Sequence, residues 1–228
     1  MNEIKQLSWD SNFFGLQIGR VDCRSDELFV IYNKLPELKS KGYDLIYVFT
    51  DHAPSSLYQI MPIDVKRVYH KKIGLELKVA SYVEFYNGSP EQLYDLAYQS
   101  GYDSRFNRDK NFREGEFERL YRQWIDNSVI SQFADAVIIA NINEQIAGFV
   151  TLSITDNVGS IGLLATDKNF RCRGVGSNLI AACNNYLLKK DIQELNVATQ
   201  TSNENACTFY ERQGMSVLSE TDIYHFWL

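Results

Sequence analysis

The sequence predicts an α+β protein: a mixed, mostly antiparallel sheet flanked by helices, preceded by a smaller α/β domain. Three observations carry this. Residues 135–141, 146–154 and 160–165 are strand-like runs joined by Asn143-Glu144 and Asp156-Asn157, short polar turns of the kind that build a meander. Helix, strand, helix and strand patterns then alternate to the C-terminus. Finally, Asn87-Gly88-Ser89-Pro90 is the clearest punctuation in the chain and places a boundary between residues 1–88 and 89–228.

In the first segment, residues 13–22 and 43–50 read as strands. Asp26 to Lys41 reads as a helix that Pro36 weakens. Two more strands are expected over 65–73 and 75–86, parted near Gly74. In the second segment Ser89 is placed to cap a helix, Pro90 to occupy its first position, and Gly101 to end it. A polar stretch and a helix from Gly115 to Val129 follow, then the meander. The next helix aligns Val175, Leu179, Ala182, Cys183, Tyr186 and Leu187 on one face, and Lys189 and Lys190 complement its C-terminal dipole. A strand at Glu194–Thr199, a helix at Glu204–Gln213 and a strand near Ser216–Phe226 complete the order.

At 228 residues the chain has ample length for a core, and 45% apolar content is ordinary for a globular protein. A net charge of −6 argues against sequence-independent nucleic-acid binding, which needs a basic footprint. The four cysteines form no CxxC pair and no metal spacing with the three histidines, so reduced thiols and no metal are expected. Residues 1–5 carry no signal-peptide pattern, and no run approaches the ~18 apolar residues of a membrane span. The expectation is a cytoplasmic protein with no membrane partner.

The residues with most to say about chemistry are Arg171-Cys172-Arg173-Gly174-Val175-Gly176, between a strand and a long helix. Glycines there let the backbone approach a ligand, and a helix start offers unpaired N–H groups and a positive dipole end to a phosphate. A P-loop would need Lys-Ser/Thr after Gly176, where Ser177-Asn178 stand. A dinucleotide fingerprint would need Gly or Ala at Leu179, and a carboxylate where the next strand ends in Thr199-Gln200. Neither fits.

The remaining pattern, Arg-x-x-Gly-x-Gly, resembles the pyrophosphate loop of the GNAT acyltransferases. Val197-Ala198-Thr199-Gln200, Asn203-x-x-Ala206 and Phe209-Tyr210-x-Arg212-x-Gly214 are similar to that family's downstream motif, and the likeness runs from about residue 90 to the C-terminus. Three further segments resemble one branch, the dTDP-fucosamine acetyltransferases of bacterial glycan synthesis. They are Trp9-Asp10-Ser11-Asn12-Phe13-Phe14-Gly15, Ser104-Arg105-Phe106 and Tyr121-x-x-Trp124-Ile125-x-Asn127-Ser128.

The resemblance implies a GNAT fold and an N-acetyltransferase using acetyl-CoA as co-substrate. Tyr210 would protonate the departing thiolate, since a phenol of pKa ~10 stays protonated at neutral pH. Backbone N–H groups of Gly162–Thr166 would stabilise the oxyanion, with Leu164 and Thr166 also holding the pantetheine arm. Asn203 is either a contact to that arm or the N-cap of the following helix. Arg171 and Arg173 would lie near the phosphates, which the N–H groups from Arg173 through Gly174, Val175 and Gly176 to Ser177 would bind. His70 is the first choice for general base, with Glu76 and Asp51 comparable and His225 further down.

For the acceptor, the implied molecule is a dTDP-linked amino-deoxyhexose acetylated at a 4-amino group by direct transfer. Among the clustered Arg105, Arg108, Lys110 and Arg113, Arg105 is the expected substrate contact, together with Tyr121. The rivals are another amine (a peptide N-terminus, a polyamine, an antibiotic) and a non-catalytic acyl-CoA sensor. A homodimer is the default for quaternary structure.

Overall fold

The structure is a computed structural model, and it describes residues 3–52, 60–130 and 132–228. The chain opens with β1 (Lys5–Gln6) and then α1 (Ser8–Phe14), a helix where a strand was expected to begin. Trp9 and Phe13, four residues apart, stack with ring centroids 5.2 Å apart, and Gly15 stops the helix in the left-handed region (φ 66°). Ser11 ties the helix to the next strand, its Oγ accepting from the Ile18 amide at 3.0 Å. There follow β2 (Ile18–Cys23), α2 (Leu28–Ser40, with Pro36 inside it), β3 (Leu45–Asp51) and β4 (Asp64–Lys72).

The strand expected over 75–86 contracts to β5 (Val83–Phe85). Residues 75–80 instead have their main chain held by asparagine side chains. Asn185 bonds both the N–H and the C=O of Leu77 (2.9 and 2.7 Å), Asn184 the Leu75 carbonyl, and Asn178 the Ala80 amide. Side-chain partners thus replace a strand ladder, which the local pattern could not reveal.

Pro90 opens a helical segment as expected, but as a single 3₁₀ turn (Pro90–Leu93) ahead of the α-helix, and the Ser89 hydroxyl caps nothing and bonds Glu91. Next come α3 (Tyr94–Ser100), a short α4 (Arg105–Arg108) within the polar stretch, and α5 (Glu116–Val129). The meander is β6 (Ala136–Ile142), β7 (Gln145–Thr155) and β8 (Val158–Thr166). Both of its turns place two residues at positive φ (Asn143 52°, Glu144 63°; Asp156 51°, Asn157 60°), the I′ geometry that matches strand twist. Then follow α6 (Val175–Leu188), β9 (Glu194–Gln200), α7 (Glu204–Arg212) and β10 (Ser216–Trp227). The buried stripe of α6 is wider than expected: it takes in Ile180, Ala181 and Asn184, while Ala182 and Tyr186 stay half-exposed.

Among the described residues ten strands form one sheet, ordered β1-β2-β3-β10-β4-β9-β8-β7-β6-β5, parallel only at β2–β3 and β8–β9. Strands from either side of residue 88 alternate in it, for β10 lies between β3 and β4, and β4 lies between β10 and β9. Because side chains alternate across a strand, each strand feeds two cores. Tyr69, Val197, Leu179, Cys207 and Tyr210 share the core beneath α6 and α7. Tyr47, Phe106, Phe149, Ile223 and the buried faces of α1, α3 and α5 share the opposite one. The N-terminal segment is thereby built into the walls of both.

Candidate functional site

The strands β8 and β9 pair only through Gly159↔Leu195, Ser160↔Asn196 and Ile161↔Val197. Beyond Ile161, β8 stays with β7 and β9 stays with β4, so a gap opens between them. In the β7–β8 ladder Asp167 donates to the Ala147 carbonyl (2.9 Å), and Thr166 and Leu164 face Gly148 and Val150. Antiparallel alternation then turns the N–H and C=O groups of Thr166 and Leu164 away from β7, into the gap. Leu163 is already committed, because its amide donates to Thr151 Oγ1 (2.9 Å) at the ladder's irregularity. Of the expected segment Gly162–Thr166, Leu164 and Thr166 therefore supply the available donors.

The glycine turn lies at the end of this gap. Arg171 Nε donates to the Thr166 carbonyl (3.2 Å), Cys172 and Gly174 take positive φ (60° and 78°), and α6 starts without a side-chain cap. The N–H groups of Val175, Gly176 and Ser177 are thus open, at the positive end of a 14-residue helix. Arg171 and Arg173 are exposed, and Arg173 lies over the Phe170 ring. The Ser177 hydroxyl accepts from Gln213 Nε2 (3.0 Å), which leaves its O–H and its amide as donors.

The two glycines have different reasons. Gly174 is required by its left-handed backbone. A Cβ at Gly176 would stand 3.0 and 3.2 Å from the Phe209 ring, so that glycine serves the packing of α7 on α6 more than clearance for a ligand. Gly174→Ala is expected to cost ~1–2 kcal/mol of stability through backbone strain. Gly176→Ala should cost ~1–3 kcal/mol through overpacking. Both values are measurable by urea denaturation, and both variants should also bind coenzyme A more weakly because the first turn of α6 moves.

From α7, Asn203 acts as the N-cap, its Oδ1 accepting from the Ala206 amide at 3.1 Å. Tyr210 lies one turn further on, 5% exposed, its ring 5.6 Å from that of Tyr69. Burial, with Cys207 adding to it, pushes the Tyr210 pKa up and keeps the phenol neutral. Leu164 of β8 and Val175 of α6 pack in the same core as Tyr210. His70 does not join them. It follows Tyr69 on β4 and so projects to the other face, where Nδ1 meets Asn196 Oδ1 (2.9 Å) at the closed end of the gap.

Residues 92–215, more than half of the chain, match the acetyltransferase (GNAT) family. The chain belongs to that family. It is an acetyl-CoA-dependent N-acetyltransferase. An uncharacterized N-acetyltransferase of Methanocaldococcus jannaschii is 25% identical over 93% of this chain and 94% of its own length. Among solved structures, a GCN5-related N-acetyltransferase from Sphaerobacter thermophilus aligns with a TM-score of 0.60 at 13% identity, over 99% of this chain and 75% of that one. The PaiA N-acetyltransferase of Thermoplasma acidophilum, in complex with coenzyme A, aligns at 0.50 and 19% identity, over 64% and 99%. These structural likenesses speak to the fold. In this GNAT chain the open amides, the positive end of α6 and the two arginines have the chemistry that suits a diphosphate.

The other face of the sheet carries a second polar centre of this acetyltransferase. Four buried polar atoms have no partner among the described residues: Tyr47 Oη, Asp64 Oδ1, Arg105 Nε and His225 Nε2. They gather in one place. The Arg105 guanidinium lies 4.4 to 5.6 Å from the ring centres of Phe106, Tyr47 and Phe49, and the His225 ring lies 4.6 Å from that of Tyr47. Burial lowers the Arg105 pKa, against the pull of Tyr47, Asp64 and Asp10.

Asp109 fixes the histidine. Its Oδ2 meets His225 Nδ1 (2.6 Å) and accepts from Trp227 Nε1 (2.9 Å), while Oδ1 accepts from the Asn111 amide (3.0 Å). Burial opposes ionisation of Asp109, but these hydrogen bonds win and hold it at about 2. Burial in turn lowers the His225 pKa. The neutral ring then carries its proton on Nδ1, toward Asp109, and presents the Nε2 lone pair to the cluster. Tyr121 is buried, and Gly101 makes room for it, since a Cβ there would come within 2.1 Å of the ring.

Of the four basic residues of the polar stretch only Arg105 turns inward, while Arg108, Lys110 and Arg113 are exposed. Tyr47, Asp64 and Asp109 were not singled out in sequence. Each is an ordinary strand or loop residue until strands from both halves bring them together.

Proposed function

We propose that the acceptor is the amine of a dTDP-linked amino-deoxyhexose, the 4-amino sugar being favoured, and that acetyl transfer is direct. The observation that carries this reading is the convergence on Arg105 of the three segments that resemble the dTDP-fucosamine enzymes. Asp10 acts on its charge, Phe14 packs on Phe106 (5.9 Å), and Trp124 packs on Phe106 (6.0 Å). The four unpartnered atoms supply donors (Arg105 Nε, Tyr47 Oη) and acceptors (Asp64 Oδ1, His225 Nε2), the mixture a hydroxylated amine requires. An unmade buried hydrogen bond costs ~1–3 kcal/mol, so four in one cluster favour a polar molecule that completes them.

Acetyl-CoA, when bound, supplies the thioester whose acyl group is transferred. The open amides of α6, with Arg171 and Arg173, hold its diphosphate. Leu164 and Thr166 N–H groups face the charge that develops on the carbonyl oxygen, and Tyr210 Oη carries the proton for the sulfur. Neither thiol of this region is paired for nucleophilic work: Cys172 is exposed and the Cys207 thiol donates to the Gln200 carbonyl.

A CoA-release assay across dTDP-4-amino and dTDP-3-amino sugars, beside thermal shift with acetyl-CoA and dTDP, tests the reading. The 4-amino sugar should turn over fastest. Stabilisation by acetyl-CoA alone, with no turnover of either sugar, would remove it. One observation favours a cationic amine without a nucleotide, namely the Asp10 and Asp64 carboxyls facing Arg105. Spermidine belongs in the same assay for that reason.

A further inference from the structure

We propose that Asp64 is the general base, its Oδ1 taking the proton from the acceptor's ammonium group. On the reading proposed above, transfer takes place at the gap between β8 and β9. Its β9 lip ends at Gln200, which pairs with Lys66 of β4, and the Thr201 amide donates to the Val65 carbonyl (2.9 Å), so Asp64 lies beside the end of β9. Asp64 is 4% exposed and on the acceptor face, since its partner across the sheet is Ile223 of that core. Its Oδ1 is one of the four unpartnered atoms. A buried carboxylate oxygen beside the mouth of the gap is placed for an N–H donor.

Other bases are less well placed. His70 lies at the closed end of the gap and is bonded to Asn196. Asp51 is exposed and spent on the amide and hydroxyl of Ser25, and Glu76 is exposed. His225 pairs with Tyr47, two residues beyond the Ile223 that faces Asp64, at the far end of the cluster. The charged and titratable groups that act on Asp64 are Arg105 and Arg108 of α4, Lys66 of its own strand and Tyr121 of α5. Burial outweighs the two arginines and raises the carboxyl from 3.8 to about 6, a useful value for a base near neutral pH.

The protons balance. Forming the amide from an ammonium releases two. Asp64 Oδ1 takes the first and passes it to water, leaving the nitrogen its electron pair. That pair forms the C–N bond as the C–S bond breaks with its electrons to sulfur. The second proton makes good the one that Tyr210 gives the sulfur. The proposal needs an amine acceptor but does not depend on its being a sugar.

The test uses the full chain, Asp64→Asn, Asp64→Glu and, as a control, His70→Gln. With dTDP-4-amino-4,6-dideoxygalactose and with spermidine, kcat/KM of the wild type should rise through a pKa of about 6 and level off above it. Asp64→Asn should lose that limb and about 10²–10⁴-fold in rate, with acetyl-CoA affinity by calorimetry unchanged, and Asp64→Glu should recover part of the loss. Carboxyl-¹³C aspartate NMR should show one resonance titrating near 6 that is missing from Asp64→Asn.

Stability gives a separate readout. A carboxyl raised on folding stabilises the fold below its ordinary 3.8 and loses that contribution as pH rises through about 6. Asp64→Asn should therefore melt above the wild type at neutral pH, and the difference should close in acid. An Asp64→Asn enzyme with undiminished rate and an intact limb overturns the proposal. If neither amine turns over, both acceptor readings fail and NMR decides alone: an Asp64 carboxyl titrating at its ordinary value also overturns it.

Discussion

Tyr210→Phe is expected to lower kcat by about 10²–10⁴-fold while leaving acetyl-CoA affinity and melting temperature nearly unchanged. Tyr210 is buried in the core beneath α6 and α7, with Tyr69 and Phe209 against its ring, and Phe preserves all of that packing. The loss would fall on the one step that needs an acid. A thiolate whose conjugate acid has a pKa of ~8.5 leaves sluggishly from a tetrahedral centre unless a proton is delivered. Because burial raises the Tyr210 pKa, the phenol stays a donor through the whole working range, and the wild type should show no basic limb from its ionisation up to about pH 9. Steady-state kinetics with calorimetry separates this from a packing role, which would move stability and spare kcat. An unchanged kcat in Tyr210→Phe would remove the acid assignment.

Arg105→Met is expected to raise the acceptor KM by about 10²-fold, the equivalent of one lost charge-assisted hydrogen bond plus the unpaired group it leaves on the ligand. Methionine fills a similar volume between Phe106, Tyr47 and Phe49, and Arg105 Nε has no partner in the free protein whose bond would be lost. Removing one partner of a buried charge pair costs ~3–5 kcal/mol where the other stays ionised, so the variant should melt below the wild type and its KM is read at a temperature where it is folded. Arg108→Ala and Arg113→Ala, at exposed sites, should change stability by less than about 0.5 kcal/mol. An acceptor KM that stays put while the melting temperature falls would assign Arg105 a structural role.

The glycine turn, the α7 cap and the meander turns were legible in the sequence because their causes are local. The αL backbone at Gly174, the cap from Asn203 to Ala206 and the I′ turns each depend on a few neighbouring residues. The amphipathic stripe of α6 is similarly short-ranged, although its buried face proved wider. Local reading failed where a local signal had a distant competitor. The Trp9–Phe13 stack and Gly15 carry a helix through Phe13 and Phe14, where the expected strand begins, and three asparagines of α6 drew residues 75–80 out of the sheet.

The acceptor side depends on pairings that no window of sequence contains. The N-terminal strands read correctly as strands over 43–50 and 65–73, but nothing local shows β4 entering between β9 and β10. That insertion sets Asp64 beside the end of β9, while the separate pairing of β3 with β10 brings Tyr47 opposite His225. By itself, then, the sequence determined the family, the glycine turn and the residue types available for chemistry. Only the tertiary structure decided which of them are buried together. Hydrogen bonds and backbone angles are settled within a few residues, whereas burial of a charge is settled by everything that packs around it.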